Sequence, residues 1–82
     1  MLDAKHKTLR FADFAGARIE RIFVNETMRE AIRFAAMKDG ETMYLRPLDL
    51  PEDELVVLIG DAVAAKVFSE RFLSELRDIL DA

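Results

Sequence analysis

Apolar residues follow the most regular spacing in the C-terminal segment SERFLSELRDILDA, residues 69–82. They fall at positions that share one face of a helix, namely Phe72, Leu73, Leu76, Ile79 and Leu80. Ser69 suits an N-cap, because its side-chain oxygen can accept a backbone N–H of the first turn. The pattern predicts a helix over 70–81.

The preceding segment, LVVLIGDAVAAKVF (residues 55–68), is apolar around most of its circumference if it is helical. Pro51 and the three acidic residues after it are typical of a helix start. Proline fits the first helical position, and negative charge is favourable at the positive end of the helix dipole. These features predict a helix over 51–66. A strand over 55–59, which would make the fold α+β, is the alternative, since β-branched residues are frequent there.

A helix over 51–66 has two apolar stripes. We expect the first to lie in the core of the protein, and it consists of Leu55, Leu58, Ile59, Ala62 and Val63. The second lies about 150° away and consists of Val56, Val57, Gly60, Ala64 and Val67. A helix that is apolar on nearly all sides has to be buried on nearly all sides, and a short chain has few other elements to cover it. We therefore predict a homodimer interface at the second stripe, to which Phe34 and Met37 also contribute.

The middle of the chain has further helix signals. Thr27 and Glu30 have the spacing of a capping box, and a glycine follows the last apolar residues. These residues predict a helix over 28–38. The segment DFAGARIERIFVN predicts another over 14–24, since its apolar residues do not alternate strictly with polar ones. Whether residues 17–38 form one continuous helix or two stays open.

Weak alternation in TLRF and TMYLR predicts a minor two-stranded ribbon of residues 8–12 with residues 42–46. No repeat or linker divides the chain, so we expect one domain over residues 1–82, with residues 1–7 forming a mobile N-terminal arm. The predicted fold is mainly α, a small single-domain helical bundle.

Composition excludes several classes of protein. Hydrophobic residues make up 51% of the chain and charged residues 34%, which excludes a disordered chain as the default. The absence of cysteine excludes disulfides and thiolate chemistry. The first ten residues lack the apolar run of a signal peptide, and residues 55–68 are too short to span a bilayer. We therefore expect a cytoplasmic protein without a membrane partner.

Candidate catalytic groups are few in this sequence. The single histidine, His6, lies between Lys5 and Lys7, and catalysis by it would need a carboxylate partner and an ordered pocket. The acidic residues at 52–54 lack the spacing of a calcium loop, and the isolated glycines do not form a phosphate-binding loop. We predict that the protein is not an enzyme and has no cofactor, catalytic residue or metal site.

Charge is unevenly distributed along the chain. Residues 1–38 contain eight Lys and Arg against five Asp and Glu, a net charge of +3, while residues 39–82 contain four against eleven, a net charge of −7. A basic surface can bind nucleic acid, and two short helices joined by a turn resemble a helix-turn-helix. The DNA-binding alternative would use Lys5, Lys7, Arg10, Thr27, Arg29 and Arg33.

The net charge of the whole chain is −4, which disfavours nucleic acid as the partner. We therefore predict a small non-catalytic protein–protein interaction module, structural or regulatory, that acts as a homodimer. A different protein as partner is also open.

Overall fold

The protein consists of an antiparallel sheet followed by two helices, as seen in a computed structural model. The structure describes residues 6–38, 41–42 and 47–82, with residues 37, 38, 41 and 42 described by their backbone alone. The elements are β1 (His6–Phe14), β2 (Ala17–Val24), β3 (Arg29–Lys38), β4 (Glu41–Thr42), β5 (Leu48–Leu50), α1 (Glu52–Ala64) and α2 (Glu70–Leu80).

β1, β2 and β3 form a meander in which each strand pairs antiparallel with the next. The outer edge of β3 is shared by two shorter strands, since β4 pairs with Met37 and Lys38 while β5 pairs with residues 32–34. The fold is therefore α+β, and the prediction of a mainly α helical bundle is wrong.

Residues 14–24 and 28–38, predicted as helices, belong to β1, β2, β3 and the two turns that connect these strands. Ala15 and Gly16 both have positive φ, 51° and 80°, as in the two-residue type I′ turn of a hairpin. The next turn ends at Met28, with φ of 56°, whose N–H donates to the last carbonyl of β2 at 2.8 Å. Neither turn contains the Asn-Gly or Asp-Gly pair that marks hairpins most clearly in a sequence.

The helix-start signal in the middle of the chain has a different role in the structure. Thr27 lies in the turn between β2 and β3, and Glu30 lies in β3. The Glu30 carboxylate accepts a hydrogen bond from Nη1 of Arg21 at 2.8 Å. The capping-box prediction is wrong, because strand pairing places Glu30 beside a cation of β2. β-branched and aromatic residues are frequent in both segments and favour strands.

The predicted ribbon is also wrong, because β1 pairs with β2 and Thr42 pairs with Met37. Residues 43–46, its remaining part, lie outside the described residues. So do residues 1–5 of the predicted N-terminal arm, and His6 begins β1.

The two faces of the sheet differ in composition and burial. Residues directly opposite each other in an antiparallel pair share a face, so the register assigns each side chain to one side. The closed face contains every residue that is buried in the described part of the chain, namely Glu20, Ile22, Ala31, Arg33 and Ala35. The open face contains Lys7, Arg10, Ala12, Phe14, Ile19, Arg21, Phe23, Glu30, Ile32, Phe34, Leu48 and Leu50.

Helices are present where the sequence predicts them near 51–66 and 70–81, as α1 and α2. The alternative of a strand over 55–59 is wrong. Ser69 caps α2 as predicted, since its Oγ accepts the N–H of Phe72 at 3.0 Å. Local signals of capping and periodicity therefore identify both helices correctly.

The first turn of α1 is attached to the sheet by ion pairs. Glu52 accepts a hydrogen bond from Arg21 at 2.7 Å, and Oδ1 of Asp53 lies 3.7 Å from Nη2 of Arg29. The bond to Glu52 is the largest cause of a raised pKa at Arg21. At its other end α1 stops at a left-handed residue, Lys66 with φ of 60°, which closes a Schellman motif.

The helices add little to the core. Both lie entirely in the described part of the chain, and neither contains a buried side chain. The radius of gyration is 14.5 Å, where about 12 Å is expected for a compact domain of this length. We call residues 52–80 the helical arm, since they extend the protein beyond its sheet.

Candidate functional site

The residues of the predicted dimer interface on α1 and the turn after it are open to solvent. Val56, Val57 and Val67 are 65%, 61% and 67% exposed, and Gly60 and Ala64 are also exposed. A Cβ atom placed on Gly60 would meet no atom within 4 Å. This side of α1 therefore leaves room for another molecule to approach closely.

The first stripe of α1, predicted to lie in the core, is also open. Leu58, Ile59 and Val63 are between 39% and 50% exposed, while Leu55 and Ala62 are half-buried. The prediction of a core at this stripe is wrong, because the segments expected to pack on it as helices form a sheet instead. α1 therefore exposes apolar side chains on both stripes.

α2 adds further apolar surface to the helical arm. Ile79 and Leu80 are 71% and 73% exposed. At the start of α2, the rings of Phe68 and Phe72 pack on each other with centroids 5.0 Å apart. Aromatic contacts of this kind stabilise the turn between the helices without burying either helix.

Phe34, predicted to contribute to the interface, lies on the open face of the sheet and is half-buried. Its cross-strand neighbours Ile19 and Leu48 are each 50% exposed. The side chain of Met37 lies outside the described residues. Sequence reasoning missed Ile19 and Leu48, because they come opposite Phe34 only when all three segments are aligned as strands.

The closed face carries a network of charged side chains. Arg33, 9% exposed, donates from Nε and Nη2 to the two carboxylate oxygens of Asp49 at 2.7 and 2.8 Å, and its Nη1 lies 3.1 Å from Nε2 of His6. Oε1 of the fully buried Glu20 accepts a hydrogen bond from Oγ1 of Thr8 at 2.9 Å. Its Oε2 has no hydrogen-bond partner among the described residues. These contacts join neighbouring strands by directional bonds.

A second ion pair lies beside the turn between β1 and β2. Nε and Nη2 of Arg18 donate to the two carboxylate oxygens of Asp13, the latter bond at 2.8 Å. The guanidinium also lies 4.1 Å from the ring centroid of Phe11, within the range of a cation–π interaction. The hydrogen bond from Arg18 lowers the pKa of Asp13 below its ordinary value.

The residues of the DNA-binding alternative do not form a helix-turn-helix, since Arg29–Lys38 is a strand. Arg33 is buried and bonded to Asp49, so its guanidinium does not face a groove. The others are dispersed: Lys7 and Arg10 on the open face of β1, Thr27 in a turn, Arg29 at the start of β3, and Lys5 outside the described residues.

Three further findings bear on the class of site. Within the described ranges, no group of three His, Asp or Glu side chains could hold a metal ion. In the same part of the chain, neither helix has the length and hydropathy needed to cross a bilayer. Comparison with protein-family models, curated proteins and solved structures gives no match.

Proposed function

We propose that this protein is a non-catalytic protein–protein interaction module, structural or regulatory, that acts as a homodimer through α1. The observation that carries the proposal is that α1 is mostly apolar and has no buried residue. Burying one Val, Leu or Ile side chain stabilises a protein by roughly 1.5–3 kcal/mol. A second protomer that covers α1 would therefore gain free energy that the single chain leaves unused.

The accessible surface of the chain supports association. It is 6879 Å², whereas a folded monomer of this mass exposes about 5,000 Å². The difference of roughly 1,900 Å² is more than the ~800 Å² that each partner buries in an interface of standard size. A second copy is the simplest partner, because twofold homodimers are the commonest soluble oligomers.

The charged residues of the closed face favour a structural role over a catalytic one. Arg33 of β3 binds Asp49 of β5, and Thr8 of β1 binds Glu20 of β2. Each bond connects adjacent strands, which is what a sheet with little apolar core needs. These two bonds thus support a role of the charged residues in holding the strands together.

The variant Ala64→Glu tests the proposal. Because it would place a carboxylate inside an apolar interface, we expect it to raise the dissociation constant about thirtyfold, which corresponds to ~2 kcal/mol. Circular dichroism should show the helix content retained. Sedimentation velocity over a range of protein concentrations measures the dimer.

The matched control is Ser74→Glu, which adds the same charge at an exposed position of α2 and should leave the dimer intact. A wild-type chain that stays monomeric at every concentration would refute the proposal. So would an Ala64→Glu variant that dimerises as tightly as the wild type.

A further inference from the structure

In the part of the chain that the structure describes, two surfaces with exposed apolar side chains lack cover, namely α1 and the half of the open face formed by β1 and β2. We propose that α1 of one protomer packs across the β1–β2 half of the open face of a second copy, and that the partner's α1 does the same in return. The inference rests on the proposed homodimer and goes further by naming the surface that α1 meets.

The open face has space on this half. The protomer's own α1 contacts the sheet at β3 and, through Glu52, at Arg21 of β2. On β1 and β2, Ile19 is 50% and Phe14 is 85% exposed, and Ala12 is also exposed. A sheet face and an apolar helix face are stable when they bury each other, which is the basis of two-layer α+β folds.

The charges of the two surfaces are complementary. Lys7 and Arg10 are exposed on the open face of β1, and within the described part of the chain neither has an ion-pair partner. Glu54 and Asp61 are exposed on α1 and likewise lack an ion-pair partner among the described residues. Two cations of the sheet, without an ion pair to any described residue, thus correspond to two such carboxylates on the helix.

The spacing of these charges also permits pairing. Glu54 and Asp61 are seven residues apart, so they lie on one side of the helix about 10.5 Å apart along its axis. A bulge between Thr8 and Arg10 places Lys7 and Arg10 on the same face, opposite Phe23 and Arg21, so the two cations are about 7 Å apart along the strand. Because Lys and Arg side chains are long and flexible enough to reach over the remaining difference of about 3.5 Å, a helix lying along β1 can pair both carboxylates with both cations while its apolar side faces Ile19.

The stripe that would face the sheet is the one with the smallest side chains. On α1, Glu54 and Asp61 flank Val57, and Gly60 and Ala64 lie beside it on the same stripe. Open space around Gly60 lets the helix axis come close to the pleated surface. This geometry favours packing of α1 on the partner's sheet over packing of α1 on the partner's α1.

A charge-swap experiment distinguishes the two arrangements. The sheet variant is Lys7→Glu with Arg10→Glu, and the helix variant is Glu54→Lys with Asp61→Lys. Each variant alone would bring like charges together in both halves of the dimer, and we expect its dissociation constant to rise at least about tenfold. An equimolar mixture restores opposite charges in both halves, so heterodimers should form with nearly wild-type affinity, as measured by native mass spectrometry.

The matched control is Glu70→Lys with Asp78→Lys, the same change of charge on α2, which should leave the dimer unaffected. If the helix variant is weakened and the sheet variant is not, α1 meets another helix and the inference is wrong while the proposed dimer stands. If the wild type is monomeric, the proposed function itself fails. If the sheet variant loses binding to random duplex DNA while its dimer is unchanged, Lys7 and Arg10 bind nucleic acid and the inference is also overturned.

Disulfide trapping gives a second, independent readout. Because the chain has no cysteine, Ile19→Cys and Val57→Cys each introduce a single thiol. When the two proteins are mixed and oxidised, we expect the disulfide between positions 19 and 57 to exceed both symmetric disulfides by at least about fivefold. A dominant 57–57 disulfide would contradict helix-on-sheet packing and leave the dimer in place.

Discussion

The closed face of the sheet and α1 show opposite relations between hydrophobicity and burial. On the closed face, Glu20 and Arg33 are buried at 0% and 9% exposure, beside the core residue Ile22. On α1, five large apolar side chains are exposed, namely Val56, Val57, Leu58, Ile59 and Val63. In most folded proteins apolar side chains are buried and charged side chains are exposed. The difference teaches that the single chain completes strand pairing by itself and leaves apolar side chains of α1 uncovered.

On the closed face, burial of Arg33 is tolerated because its guanidinium is bonded. A buried charge is costly unless it is paired and hydrogen-bonded. Arg33 meets this condition through both carboxylate oxygens of Asp49. Substitutions in the two regions should therefore differ both in size and in their dependence on protein concentration.

The largest effect is expected for Ile22→Ala on the closed face. Ile22 is 0% exposed, and removing a buried side chain of this size costs about 3 kcal/mol of stability through lost contacts and the cavity left behind. Urea denaturation measures the loss. The matched variant Val57→Ala should change the stability of dilute protein by less than about 0.5 kcal/mol. Equal losses of stability in the two variants would contradict the proposed difference between the closed face and α1.

A smaller loss, about 2 kcal/mol, is expected for Arg33→Met, because it removes two charge-assisted hydrogen bonds. Asp49 is 34% exposed, so its carboxylate can regain water and limit the penalty. A double-mutant cycle with Asp49→Asn, followed by urea denaturation, isolates the pair. Strictly additive losses would show that the bidentate contact does not stabilise the closed face.

Ser69→Ala should cost about 1 kcal/mol through loss of the α2 cap. Since α2 contains no buried side chain, we expect the effect to stay within the helical arm. Hydrogen exchange should become faster in α2 and stay unchanged in β2 and β3. Ser74→Ala, in the middle of α2, is the control. Faster exchange across the sheet would mean that arm and sheet unfold together.

The smallest effect concerns the exposed pair of Asp13 and Arg18. Arg18 lowers the pKa of Asp13 from its ordinary value of 3.8, so the folded-state pKa lies below the unfolded one. The contribution of this pair is complete above the unfolded value and is lost as the pH falls through the folded value, that is, below about pH 4. In an NMR titration, Arg18→Met should return the Asp13 pKa toward 3.8. An unchanged pKa would contradict the role of Arg18.

Prediction from sequence succeeded where the signals are local and failed where they are not. Ser69 and the acidic residues after Pro51 indicate helix starts by chemistry within one turn, and both helices are found there. The turn at Ala15 and Gly16 carries no comparable signal. Because both faces of β2 mix polar and apolar residues, the alternation that marks a half-buried strand is absent from it. The helical interpretation of 14–24 followed from that mixture.

In the candidate interface, too, the local features could be predicted and the contacts between distant residues could not. The apolar circumference of α1, with Val57, Gly60 and Ala64 on one side, is evident in the sequence, and the structure leaves these residues exposed. The row of Ile19, Phe34 and Leu48 could not be predicted. Its members are distant in sequence, and they become neighbours only through the register of three strands.

The sequence alone determined the two helices, their starts and the apolar character of α1. A helix is built from hydrogen bonds between residues four apart, so its causes lie within a few residues. The tertiary structure decided which segments pair as strands, and therefore that Glu20 and Arg33 are buried while Ile19 is open. Sheet hydrogen bonds connect distant residues, and a shift of one position would move every side chain to the other face. Burial in this protein is thus a property of strand register, which no single segment contains.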